Sequence, residues 1–221
     1  MTTTGLALAD RVQAVLAERS LLKHPFYQAW TAGTLPRERL QEYARQYFHF
    51  EAEFPRLLSA IHTRVADPTV RQHILDNLWD EEHGPRNHRA LWLEFAAALG
   101  VDRADVEGST PNAQTAALVQ HYRTVASHAP VPEALAALFA YEGQVPEIAW
   151  EKIHGLRTHY GFTPQQFAFW SVHLAADVEH SGTELALIES LADDDDRVVA
   201  AVEQACDHLY AFLDGCYAPA A

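Results

Sequence analysis

Lysine is almost missing from this chain. Basic side chains number 16 against 30 acidic ones, and only Lys23 and Lys152 among them are lysines. The formal net charge of −14 argues against nucleic acid or an anionic membrane as a partner, because both demand a positive footprint. Cysteine is scarce as well. Cys206 and Cys216 lie ten positions apart, roughly 15 Å along a helix, too far for a bridge within it, and read as reduced thiols. No apolar run approaches the ~20 residues of a membrane span. The segment Met1-Thr2-Thr3-Thr4-Gly5-Leu6-Ala7 has neither the basic nor the apolar region of a signal peptide, so a soluble cytoplasmic protein is expected. Alternating strand patterns, internal repeats and domain linkers are also absent. With 221 residues, 48% of them hydrophobic, the chain can bury one substantial core, and 1–221 is expected to form a single domain.

What is present is helical periodicity almost throughout, which predicts an all-α fold. Residues 6–19 place Leu8, Val12, Val15 and Leu16 on one face. A short helix or turn follows at 24–30 and is closed by Gly33. A long helix over 34–65 should kink at Pro55, and another over 67–99 should be interrupted at Gly84-Pro85, because proline removes an interior hydrogen bond and clashes with the preceding turn. Residues 100–111 read as a loop. Asn112 can cap a helix to 128, and a further helix over 133–159 should bend near Gly143 and Pro146. Thr163-Pro164-Gln165-Gln166 has the form of a capping box with proline at the first helical position. The acidic run Asp193 to Asp196 suits a solvated helix start, and a last helix over 197–214 should end at Gly215.

The helix opened by that capping box carries His173, Asp177 and His180, at the i, i+4, i+7 spacing of one helical face. Phe167, Phe169, Val172 and Leu174 flank them, so part of the stripe must face an interior, where an unpartnered polar group is costly. Hydrogen bonds within the core could satisfy these groups, and so could a metal ion. Asp80-Glu81-Glu82-His83-Gly84-Pro85-Arg86-Asn87-His88 offers Glu81 and His88, seven apart and about 20° apart on a regular helix. Glu82 lies roughly 100° further round, and Glu82 and His83 read as surface residues. Glu142 follows the apolar run Leu135 to Phe139 and should face inward. Glu81, His88, Glu142, His173, Asp177 and His180 would suffice for two metal ions. Mixed nitrogen and oxygen donors suit iron or manganese, and no cysteine is placed for a zinc thiolate or an iron–sulfur cluster. The twice-repeated Glu-x-x-His of ferritin-like proteins is missing.

These residues carry a family resemblance. From His24-Pro25-Phe26-Tyr27 through Asp80-Glu81-Glu82-His83-Gly84 and Tyr141-Glu142 to His173-x3-Asp177-x2-His180, the chain resembles the haem-oxygenase-like dimetal oxidases. Within them it is most similar to the CADD-like group, named for the chlamydial protein associating with death domains. The resemblance implies a compact seven-helix bundle of the TenA/PqqC type. It also implies a site of two ions, Fe/Fe or Fe/Mn, that activates molecular oxygen with an external reductant. The implied activity is synthesis of 4-aminobenzoate for folate from the protein's own tyrosine, and a homodimer is compatible with it.

Such self-sacrificing chemistry needs a tyrosine to consume and a lysine to supply nitrogen, and Tyr27 and Lys152 match them. By pattern alone Tyr27 reads first as a core aromatic beside Phe26 and Trp30, and Lys152 could equally be a solvated lysine. Lysine fits where arginine does not, because a primary amine can be deprotonated and transferred. Trp170 departs from the family, which can carry a tyrosine at that place. Ten residues, about 15 Å of straight helix, separate Glu142 from Lys152, and only the bend at Gly143 and Pro146 could bring them closer. Other readings are a dimetal oxidase acting on a free fatty acid or amino acid, and a non-enzymatic interaction protein. A TenA-type thiaminase needs a mid-chain cysteine nucleophile that the chain lacks. A haem oxygenase would leave the six metal-type ligands unexplained.

Overall fold

The computed structural model describes residues 6–217, the side chains of 175–183 excepted. In chain order the helices are α1 (Leu8–Glu18), α2 (Pro25–Thr31), α3 (Arg37–Glu51), α4 (Phe54–His62), α5 (Pro68–Glu82) and α6 (His88–Ala98). They continue as α7 (Arg103–Glu107), α8 (Ala113–His128), α9 (Val131–Glu142), α10 (Val145–His159), α11 (Ala168–Leu191) and α12 (Asp195–Tyr217), with one 3-10 turn at Leu21–Lys23. The described residues form no strand. α12 packs along α9, α8 and α1, and α11 lies against α10, α9 and α6.

Among the described residues twelve helices stand where the resemblance implied seven, in large part because the anticipated kinks are full breaks. Pro55 sits in the first turn of α4 and Pro146 in the first turn of α10, where the missing N–H costs nothing. Each therefore starts a new helix. α5 ends where Gly84 takes a φ of +83°, a conformation with little penalty only for glycine. Asn87 then restarts the chain as α6 by accepting the Ala90 N–H at 3.0 Å. Residues 100–111 are not all loop: Asp102 precedes the short α7, which tucks in Val106.

Gly215 does not end the last helix either. α12 continues through it to Tyr217, and the glycine instead permits a close approach. A Cβ there would lie 3.0 Å from Gln114 Cβ, while Asn112 Nδ2 donates to the Gly215 carbonyl at 3.3 Å. The same Asn112 caps α8 as expected, through Thr115 N–H at 2.8 Å. In Thr163-Pro164-Gln165-Gln166, Gln166 accepts from the Thr163 N–H at 2.9 Å, but regular helix begins only at Ala168. Asp194 accepts the Asp196 and Arg197 N–H groups at 3.1 and 3.2 Å, so the acidic run does start a helix.

The core is unusually aromatic at its centre, where Trp30, Trp92, Trp170, Tyr43, Phe26 and Phe169 are fully buried. α2 reaches this centre by crossing α10 closely. A Cβ on Gly155 would lie 2.7 Å from Trp30 Cδ1, and Trp30 Nε1 donates to the Lys152 carbonyl at 3.3 Å. Glycine at 155 thus sets the depth at which Tyr27 and Lys152 meet. Gly155→Val should destabilise the fold by about 1–3 kcal/mol through overpacking against an immobile indole, read as a lower urea midpoint. An unchanged midpoint would show that this crossing is loose.

Candidate active site

α5 delivers Glu81 one residue before its end, and α6 opens on His88. The two meet at 2.9 Å, His88 Nδ1 to Glu81 Oε1. They do so across the Gly84 turn rather than along one continuous helix, so the regular helical phase used above is not what joins them. From α11, His173 completes the group: its ring centroid is 4.6 Å from that of His88. One ligand atom from each of Glu81, His88 and His173 lies within 4.8 Å of the others.

The donors fit a metal ion. Glu81 Oε2 is buried and has no hydrogen-bond partner among the described residues, a costly arrangement unless a cation or proton completes it. The Phe169 carbonyl lies 2.6 Å from His173 Nδ1 and so accepts its N–H, leaving Nε2 as the ring nitrogen available to a metal. A backbone acceptor behind the ring is the usual support of a ligating histidine. Burial, reinforced by His88, holds the His173 imidazole neutral with a pKa lowered to about 3, although the Phe169 carbonyl acts in the opposite sense.

The remaining sequence candidates fall as follows. Glu142, at the end of α9, accepts from Asn77 Nδ2 at 2.7 Å. Asn77 precedes Glu81 by one turn of α5, which sets the Glu142 carboxylate beside this stretch, although it is not one of the three residues clustered above. Asp177 and His180 lie on α11, but their side chains fall outside the described residues. Glu82 and His83 are exposed, and the His83 ring stacks on Trp79 at 3.9 Å.

A second chemical centre lies deeper in the bundle. Lys152 is 2% exposed, and its Nζ stands over the rings of Trp170, Tyr43 and Tyr27 at 3.8, 4.6 and 4.9 Å from their centroids. Its one hydrogen bond among the described residues is donated to Tyr43 Oη at 2.6 Å. Aromatic faces attract an ammonium by about 0.5–2 kcal/mol. Removing that ion from water costs several. Desolvation wins, and burial pushes the Lys152 pKa well below the ordinary lysine value. Tyr27 shares a hydrogen bond with Tyr43, and burial raises both phenols above the usual tyrosine range. Lys152 and His173 are connected through packed rings: Nζ stands 3.8 Å from the Trp170 ring centroid, Trp170 lies 4.7 Å from Phe169, and Phe169 lies 4.5 Å from His173.

Three residues escaped the sequence analysis. Tyr43, Tyr47 and Glu51 recur at i, i+4 and i+8 along α3, a spacing that could have marked one inward face. Tyr47 stacks on Tyr43 at 5.5 Å, and its hydroxyl hydrogen-bonds that of Tyr141. Glu51 is buried, and desolvation together with the Glu81 charge raises its pKa to about 8 against the opposing effects of His88 and Tyr47. Other groups are committed elsewhere. His24 uses Nδ1 to accept the Phe26 N–H at 3.0 Å and places Nε2 3.1 Å from Asp214, so neither nitrogen is left for a haem. Both cysteines are buried, and burial raises the Cys206 thiol to about 12, which unsuits it as a thiaminase nucleophile.

Comparison with known proteins agrees with this geometry. Residues 41–210 match the profile of a family described as "Iron-containing redox enzyme". A 4-aminobenzoate synthase of Nitrosomonas europaea is 44% identical over 221 residues, covering 94% of this chain and 90% of that protein. The 4-aminobenzoate synthase of Chlamydia muridarum is 41% identical over 213 residues, covering 96% and 90%. In architecture, a TenA homologue from Pseudomonas syringae superposes with a TM-score of 0.84 at 19% identity, covering 95% of this chain and 92% of that one. The fold is thus an all-α bundle of the TenA/haem-oxygenase-like kind. Among the described residues no helix is long and apolar enough to cross a membrane.

The geometry sets an expectation for metal content. After reconstitution without oxygen, Glu81→Ala and His173→Ala should each lose at least one iron or manganese ion per chain by elemental analysis. Glu82→Ala, whose side chain faces solvent, should lose none. Equal losses from Glu81→Ala and Glu82→Ala would mean that the cluster is not the metal site.

Proposed function

The chain belongs to the iron-containing redox enzyme family, and on that premise we propose that it makes 4-aminobenzoate from its own Tyr27, with Lys152 as the amino donor. Glu81, His88, Glu142, His173, Asp177 and His180 would hold the two ions, Fe/Fe or Fe/Mn. When bound, these ions supply the oxidising power of molecular oxygen, with electrons from an external reductant. The similarity to two 4-aminobenzoate synthases above 40% identity supports the choice of product.

One observation carries the reading: the Lys152 amine sits 4.9 Å from the Tyr27 ring centroid in a nearly dry interior. A lysine buried there without a carboxylate serves stability poorly. As a neutral amine it is a competent nitrogen donor. Tyr43 bridges the amine and the Tyr27 phenol, holding the donor over the ring and offering protons a path between them. The space beside Tyr27, bounded also by Tyr43, Tyr47 and Tyr141, measures about 20 Å³, which is roughly one water. A free fatty acid or amino acid does not fit in it, whereas the ring already present needs no room.

The alternative, a dimetal oxidase acting on a free small molecule, draws support from a different cavity of about 370 Å³ that has Glu81 in its wall. Isotopic labelling separates the two. Protein carrying ring-labelled tyrosine, given reductant and oxygen, should release labelled 4-aminobenzoate, at most one per chain. Tyr27→Phe should abolish the product. Lys152→Arg should nearly do so, because a guanidinium is not a simple amine. Sustained turnover of an added small molecule with Tyr27 chemically intact would establish the ordinary oxidase instead.

A further inference from the structure

The six candidate ligands leave over one buried carboxylate, that of Glu51 at the end of α3. Its side chain is 5% exposed, and its Oε1 has no hydrogen-bond partner among the described residues. Glu51 and Glu81 together form the buried floor of the 370 Å³ cavity, whose rim includes the exposed Arg56, Glu82 and Arg89. Tyr47 hydrogen-bonds the Glu51 carboxylate, and the charges of both Glu81 and His88 act on it.

Two carboxylates lining one cavity away from bulk water repel, and an orphaned oxygen on each adds a desolvation cost. A cation between them removes both penalties. The nearby arginines are engaged otherwise: Arg56 pairs with Glu53 at 3.4 Å, and Arg89 with Glu107 at 3.0 Å. Both arginines are thus directed elsewhere, and His88, 2.9 Å from Glu81 and acting on Glu51, is itself a candidate metal ligand. Hard divalent ions are bound by just such oxygen donors.

We propose that Glu51 is a seventh ligand of the metal centre, an oxygen donor on the side that faces the surface cavity. This rests on the dimetal reading above and adds a residue to it. Glu51 and Glu81 would then both meet an ion entering through the cavity they line. Tyr47 hydrogen-bonds the carboxylate, as supporting groups commonly do for ligands.

The test uses Mn(II) alone as the probe. Metal-free full-length protein is titrated anaerobically, and free and bound Mn(II) are followed by electron paramagnetic resonance. The wild type should bind two ions. Glu51→Gln, nearly the same in shape, should weaken one of them by about 10- to 100-fold, the range typical for loss of a group at a metal site, and change the bound-ion spectrum. Glu51→Asp, which keeps a carboxylate on a shorter arm, should fall between the two and carries the test if Glu51→Gln does not fold. Wild-type affinity and spectrum in both variants would overturn the role of Glu51. Absence of Mn(II) binding by the wild type would instead overturn the dimetal reading itself.

Discussion

Burial of one amine among aromatic rings is the constraint on which the rest of this structure depends. Lys152 is fully enclosed in a chain that otherwise relies on arginine for its positive charge. Its Nζ has Trp170, Tyr43 and Tyr27 around it and no acidic partner among the described residues. A protein selected for stability alone would place an aliphatic side chain there. Keeping the amine requires α2 to sit deep against α10, which the bare face of Gly155 allows. It also requires Tyr43 to accept the one hydrogen bond that the buried amine makes among the described residues.

The metal-type cluster and the amine are joined by packing rather than by sequence proximity. Lys152 comes from α10, His173 from α11, Glu81 and His88 from either side of the turn between α5 and α6. Trp170 and Phe169 fill the space between Lys152 and His173 with centroid separations of 4.7 and 4.5 Å along the path. Close packing of this kind leaves only about 20 Å³ beside Tyr27. The bundle therefore holds the Tyr27 phenol beside the Lys152 amine with little free space around it, while Glu81 lines a separate, larger cavity.

Much of this was legible in the sequence, for reasons that can be named. Period 3.6 and the capping residues Asn112 and Asp194 fix local structure, and local structure is what a sequence displays. Glu142 was read from the apolar run before it, whereas Glu81 was chosen by its helical phase to His88, which it in fact meets across the Gly84 turn. The breaks at Pro55 and Pro146 were read as kinks, since proline within a periodic run does not say whether the chain restarts in line or at an angle. Gly215 looked like a helix terminator because a glycine needed for a close approach to Asn112 carries the same letter. Glu51 was passed over because Tyr47, Phe48 and Phe50 beside it resemble ordinary core, and only the tertiary packing shows that α3 meets Glu81. The route from Lys152 to His173 depends on how α10 and α11 pack, which no single helix encodes.

The central claim is that burial lowers the Lys152 pKa far enough to make it a ready amine donor in the folded protein, and it can be measured directly. With two lysines in the chain, protein labelled with 13C at lysine Cε gives two signals, and Lys152→Arg identifies the one of interest. In metal-free protein the Lys152 signal should keep the shift of a neutral amine down to a pH well below ordinary lysine titration, in line with its burial. A Lys152 signal that titrates near the ordinary value of about 10.4 would show a charged ammonium, and would contradict the proposal that it donates nitrogen.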